Sequence, residues 1–181
     1  MLGGNHEAGY MAPWYCSGNS ELYKEEITQM IKEYDREVEP KFVHYIDNVL
    51  FSRAGLEKYS AEFTEQLMDH KSNTIKQIAD TINSMSFDSM GDSISAIWCR
   101  PFSYEMYSKF VQIVGHTPVM APTYKDNTWI LDTFITDRYN KPFGIPTLTV
   151  FDTDSYLIEF YTNSELYCSY DRLHWKTYRK D

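Results

Sequence analysis

The hydrophobic pattern of this chain changes period once, after Trp98, and that change constrains the fold more than any other feature of the sequence. Ahead of it, Ile27, Met30, Ile31 and Tyr34 recur at helical spacing between Glu21 and Tyr34, behind a cap candidate at Asn19 or Ser20. The span from Ser60 to Met85 is helical in composition, Ile75, Ile78, Ala79 and Ile82 share a face, and Ser72 offers a break or cap between two helices. Between these stretches Pro40 leads into Phe42 to Ile46 and Val49 to Ser52, short apolar runs around Asp47-Asn48. That pattern predicts a hairpin with an Asx turn, followed by a loop at Arg53-Ala54-Gly55. Beyond Trp98, Phe110 to Val114, Thr128 to Leu131, Thr147 to Phe151 and Tyr156 to Tyr161 are β-rich runs punctuated by Pro, Gly, Asn and Asp. Helices first and strands last predict an α+β arrangement.

The 181 residues support one good-sized core, so the expectation is a single domain over residues 1–181. A net charge of -9 excludes a binder of nucleic-acid polymers, which needs a basic stripe to displace counterions. The three cysteines, Cys16, Cys99 and Cys168, are far apart without a C-x-x-C pair, as in reduced thiols. With no basic leader and no apolar run of spanning length, the expectation is no membrane partner and a cytoplasmic address.

Two short motifs place functional residue types after strand-like or glycine-rich stretches. Gly4-Asn5-His6-Glu7 puts an amide and an imidazole behind a glycine turn, and Gln112-Ile113-Val114-Gly115-His116-Thr117-Pro118 ends a β-branched strand in a histidine. Alone, the first fits a solvated glycine-rich tail and the second a histidine capping a strand. Together with Trp98-Cys99-Arg100, and in this order, they resemble the later signatures of the calcineurin-like metallophosphoesterases, in the bacterial and phage serine/threonine protein phosphatase-like subgroup. A further element, Val49 to Leu56, is similar to that family's apolar-apolar-Phe-Ser-His-Ala-Gly-Leu run, with Arg53 in the histidine position.

The resemblance implies Asn5 and His116 as metal ligands, His6 as proton donor to the leaving oxygen, and Arg100 as a grip on phosphate. It implies a partial metallophosphoesterase β-sandwich flanked by helices, lacking its N-terminal βα units, and hydrolysis of a phosphorylated protein or nucleotide by a metal-activated water. The implied cofactor is a divalent metal, Mn or Fe/Zn. Arg53 has no lone pair and cannot replace an imidazole ligand. A cation at ~5 Å from a divalent ion costs about 6 kcal/mol at an effective dielectric of ~20, so Arg53 is expected to turn to solvent. Trp129 to Thr133 is similar to the family's strand ending in Asp-Thr-Gly, with Phe134 where glycine is usual; Asp132 is expected in a turn or behind the ligands rather than as a ligand, and His44, His70 and His174 are expected to be structural or surface residues. The family's first two signatures, Asp-x-His-Gly and Gly-Asp-x-x-Asp-Arg-Gly, do not occur. The alternative is therefore an inactive remnant or binding module, or a half-domain needing a separate N-terminal fragment. Loss of that half predicts an exposed apolar edge near residues 1–4 and self-association.

Overall fold

The computed structural model describes residues 2–170, except 13, 15, 17, 18, 39, 40, 68–73, 93, 94, 134, 137, 138, 140 and 164. Pro40, His70, Ser72, Phe134 and His174, named above, lie outside the described residues. The chain begins with α1 (Asn5–Met11) and α2 (Lys24–Val38), then a hairpin of β1 (Val43–Ile46) and β2 (Val49–Ser52), then α3 (Lys58–Leu67) and α4 (Ile75–Asn83). A 3-10 turn at Asp88–Gly91 precedes β3 (Val111–Pro118), β4 (Thr123–Lys125), β5 (Thr128–Asp132), β6 (Ile135–Thr136) and β7 (Pro142–Phe143). The chain continues through β8 (Leu148–Asp152), β9 (Leu157–Thr162) and β10 (Glu165–Tyr170).

Local chemistry accounts for the elements. Asp47 takes a left-handed φ of 48°, which a short polar side chain tolerates, and closes the expected hairpin. Helix α4 starts at Thr74, whose hydroxyl accepts from Gln77 N at 3.3 Å while Gln77 Oε1 accepts from Thr74 N at 3.0 Å. That reciprocal cap satisfies two backbone donors, and Ile78, Ala79 and Ile82 are buried below it as their spacing predicts. Strands β4 and β5 meet at Asp126-Asn127, both left-handed at 49° and 56°, a turn whose twist suits a tight hairpin.

A five-stranded sheet in the order β1-β2-β3-β5-β4 organises the molecule, with β2, β3 and β5 parallel and the outer strands antiparallel. Its central strands are buried on both faces, and alternation along β2 shows how. Leu50 joins Val43, Ile78, Ala79, Ile82 and Ala8 in the helical layer's core. Its neighbour Val49 packs on the opposite side with Val111, Ile113, Trp129, Ile158 and Phe160, where the antiparallel sheet β10-β9-β8 covers the first sheet. The α+β class is thus observed as helices on one face of a mixed sheet and a smaller sheet on the other.

Among the described residues the expected apolar edge at the start of the chain is not found: Gly3 and Gly4 are buried, and Leu2 bridges to Lys41. Apolar side chains are exposed elsewhere, at Leu22, Met30 and Tyr34 around α2 and at Leu148 and Leu166 on the smaller sheet. Among the described residues no helix is long and apolar enough to cross a membrane.

Candidate functional site

The parallel strands β2 and β3 end side by side, and the residues that follow them meet. The Gly115 amide donates to the Arg53 carbonyl at 2.9 Å, so the arginine and His116 leave adjacent strands locked in register. His116 sits at the irregularity between Val114 and Pro118 with φ of 63°, a strained conformation for a residue with a Cβ, and this turns its ring out of the strand's alternation. The Arg53 loop is fixed from below: Ser52 Oγ accepts from Gly55 N at 2.9 Å, and Ala54 N donates to Ala96 O at 2.8 Å. Gly55 has φ of 97°, and a Cβ there would stand 2.6 Å from Met106 Cε.

Arg53 does not turn to solvent. It is half-buried, its Nη1 donates to His116 Nδ1, and its side chain lies over Gly4, where an added Cβ would meet Arg53 Cδ and Nε at 2.7 Å. Because arginine only donates, Nδ1 is the accepting nitrogen of a neutral ring and Nε2 carries the hydrogen. That Nε2 is buried and makes no hydrogen bond among the described residues. Burial first, and then the charges of Arg53, Arg100 and His6, hold the His116 imidazole down at about 3, with the Trp98 carbonyl acting against them. Burial also lowers Arg53 from its ordinary value; Glu7, Asp132 and Cys16 act the other way.

Arg100 comes from the turn after Ile97 and is exposed, with its Nη1 on the His116 carbonyl at 2.9 Å. Lys125 steadies that turn by donating to Pro101 O at 2.7 Å and Tyr104 O at 3.3 Å. Trp98 stands edge-on to His116 with ring centroids 5.8 Å apart.

The glycine-rich start supplies the remaining wall. Asn5 and His6 lie in the first turn of α1 rather than in a loop after a strand. Asn5 is 3% exposed; its Nδ2 donates to Cys16 Sγ at 3.5 Å, and its Oδ1 is buried without a hydrogen bond among the described residues. His6 Nδ1 meets Asn19 Oδ1 at 3.0 Å, and Asn19 Nδ2 donates to the His6 carbonyl at 3.2 Å. All five residues singled out from the sequence, Asn5, His6, Arg53, Arg100 and His116, therefore gather in one cluster. Cys16 and Asn19, which the sequence presents only as a scattered thiol and a helix cap candidate, complete it, and no spacing signal marks them.

No protein-family model matches the chain, and no curated protein does. Among solved structures its fold is similar to that of a cold-active protein tyrosine phosphatase, with a TM-score of 0.51 and 14% identity over 89% of this chain and 56% of that one. The chain thus spans about half the length of that structure. A cold-active protein-tyrosine phosphatase of a psychrophile, Shewanella sp., is similar at a TM-score of 0.46 and 14% identity over 91% of this chain and 54% of its own.

These findings correct the membership expected from the motifs. The fold is similar to that of a structure named a protein tyrosine phosphatase, so the calcineurin-like metallophosphoesterase assignment and its partial sandwich are withdrawn. Motifs of a few glycine- and histidine-containing residues have low specificity even when they occur in order. The divalent metal, Mn or Fe/Zn, is withdrawn with it. Among the described residues no group of three or more His, Cys, Asp or Glu gathers, and Arg53 places a guanidinium directly on the ring of His116, one of the two expected ligands.

Proposed function

We propose that the cluster binds the phosphoryl group of a phosphate ester, carried by a phosphorylated protein or a nucleotide. The observation that carries this reading is the convergence of Arg53 and Arg100 on His116. The half-buried guanidinium of Arg53 and the exposed one of Arg100 both disfavour an imidazolium at His116, and an anion between them relieves that effect. Their planar forks suit tetrahedral oxyanions. The likeness of the fold to a protein tyrosine phosphatase supports phosphate-ester chemistry of the hydrolase kind for this chain.

Hydrolysis is a second reading, favoured by His6, which Asn19 clamps beside the cluster as a proton donor to a leaving oxygen. Binding stands ahead of it because the neighbouring thiols are poor nucleophiles. Burial raises Cys16, and burial raises Cys99 to about 12, so neither supplies a ready thiolate.

Calorimetric titration of phenyl phosphate into the full chain, in EDTA, tests the first reading, and release of p-nitrophenol from its phosphate ester tests the second. Saturable binding that Arg53→Ala weakens by roughly 30-fold is expected. Absence of binding, or binding only after Mn²⁺ is added, would sink the proposal.

A further inference from the structure

We propose that Asn5 makes this site selective for an anion that brings its own proton donor, hydrogen phosphate or the monoanion of a phosphate monoester, over sulfate. The proposal rests on the phosphoryl-binding reading above and specifies which form of the ligand the site takes. The groups that converge on His116 are donors, the guanidinium groups of Arg53 and Arg100. Of the acceptors nearby, the Glu7 carboxylate already accepts from Gly4 N at 3.0 Å, whereas Asn5 Oδ1 has no hydrogen bond among the described residues. The Asn5 amide is anchored by Nδ2 on Cys16 Sγ, which leaves Oδ1 as a buried acceptor.

Asn5 belongs to the same cluster through both of its neighbours. Gly4, which precedes it, lies against the Arg53 side chain, and Cys16, which holds its amide, feels the Arg53 charge. A buried carbonyl oxygen beside a bound oxyanion faces negative oxygen atoms unless one of them carries hydrogen. Phosphate at neutral pH keeps a P–OH group that can donate to Oδ1 while its other oxygens accept from the arginines. Sulfate has the same tetrahedral shape but no hydrogen to give. It therefore brings negative oxygen atoms against Oδ1 without a hydrogen bond, whereas phosphate gains one.

The experiment compares inorganic phosphate with inorganic sulfate, titrated separately into the full chain in EDTA near pH 6, with Trp98 fluorescence or calorimetry as readout. At that pH sulfate carries the larger negative charge, so attraction to the arginines alone would favour sulfate. Phosphate is expected to bind tighter by roughly 10- to 100-fold, the value of one buried hydrogen bond. Asn5→Ala and Asn5→Leu, checked for folding by circular dichroism, are expected to bring the ratio of the two affinities close to unity. Equal binding of both anions by the unaltered chain would overturn the proposal and leave phosphoryl binding standing; it would mean that the Asn5 amide presents Nδ2 to the cluster. A phosphate preference that persists in both variants would overturn it as well. Failure of both anions to bind would remove the premise along with the proposal.

Discussion

At the scale of single residues, Arg53 carries the most weight, because its place over Gly4 and on His116 is what makes the cluster cationic. Arg53→Ala is expected to weaken phosphate binding by about 2 kcal/mol, the worth of a charge-assisted hydrogen bond, whereas exposed Arg100→Ala costs about 1 kcal/mol; titration calorimetry separates them. Gly4→Ala pushes a methyl group against Arg53 Cδ and Nε rather than against backbone, so it should reduce anion affinity more than stability. His116 has a pH signature whose sign follows from its lowered value. Ordinarily near 6.5, it is held at about 3 in the fold, so the unfolded chain binds the extra proton between those values. The neutral ring's contribution is present above about pH 6.5 and is lost as pH falls toward 3, and urea midpoints of His116→Gln should fall less over that window than those of the unaltered chain. The identities of these residues were legible in short motifs. The fate of Arg53 was not, because its position depends on a missing Cβ forty-nine positions earlier.

At the scale of elements, legibility followed how local each cause is. The β1–β2 hairpin and the buried face of α4 are written in adjacent residues, and both stand where periodicity and turn chemistry put them. The cap of α4 is at Thr74, where the reciprocal bonds with Gln77 decide the start. By contrast β3 runs on through Gly115 and His116, because pairing with β5 resumes at Pro118 across an irregularity that no single-strand pattern announces. The short β6 and β7 are held by contacts distant in sequence. Gly144 shows the cost of disturbing them: its φ is 86°, and a Cβ would stand 1.9 Å from Thr133 O and 2.7 Å from Val119 O. Gly144→Ala should therefore lose on the order of 2 kcal/mol or more, measured by urea denaturation. Gln112 has a similar role within β3. Fully buried, it accepts from Leu56 N at 2.7 Å and donates to Leu56 O at 3.0 Å and Tyr107 O at 2.8 Å, which braces the loop that presents Arg53. Gln112→Leu removes three hydrogen bonds to buried backbone groups, of which Leu56 O keeps a second from Tyr107 N at 3.0 Å, and should cost about 2 kcal/mol, with phosphate affinity falling alongside.

At the scale of the whole molecule, the question is whether three layers behave as one. The sequence announced helices first and strands last, which is the class observed, but it did not say that the late strands divide among three sheets, β6 and β7 forming a two-stranded one. That division depends on which runs find parallel partners: β3 and β5 join β2, while β8, β9 and β10 pair only with one another. The smaller sheet is tied to the larger through Ile158 and Phe160 of β9, both fully buried against Val111, Ile113 and Trp129, with Trp129 and Phe160 ring centroids 5.2 Å apart. On β2, Val49 faces this core while Leu50 meets the helices. Strand β2 is therefore shared between two cores, so loss of either core removes support from the other. Phe160→Ala deletes a fully buried ring and should cost roughly 3–5 kcal/mol. If the layers are one cooperative unit, far-ultraviolet dichroism, which follows the helices, and tryptophan fluorescence, measured with Trp14, Trp98 and Trp175 replaced by Phe so that Trp129 in the inter-sheet core reports alone, shift together to lower urea in this variant. Separate transitions, with the helical signal unmoved while the sheet signal falls, would show instead that the two cores unfold independently and that the chain holds two stability units around one shared sheet.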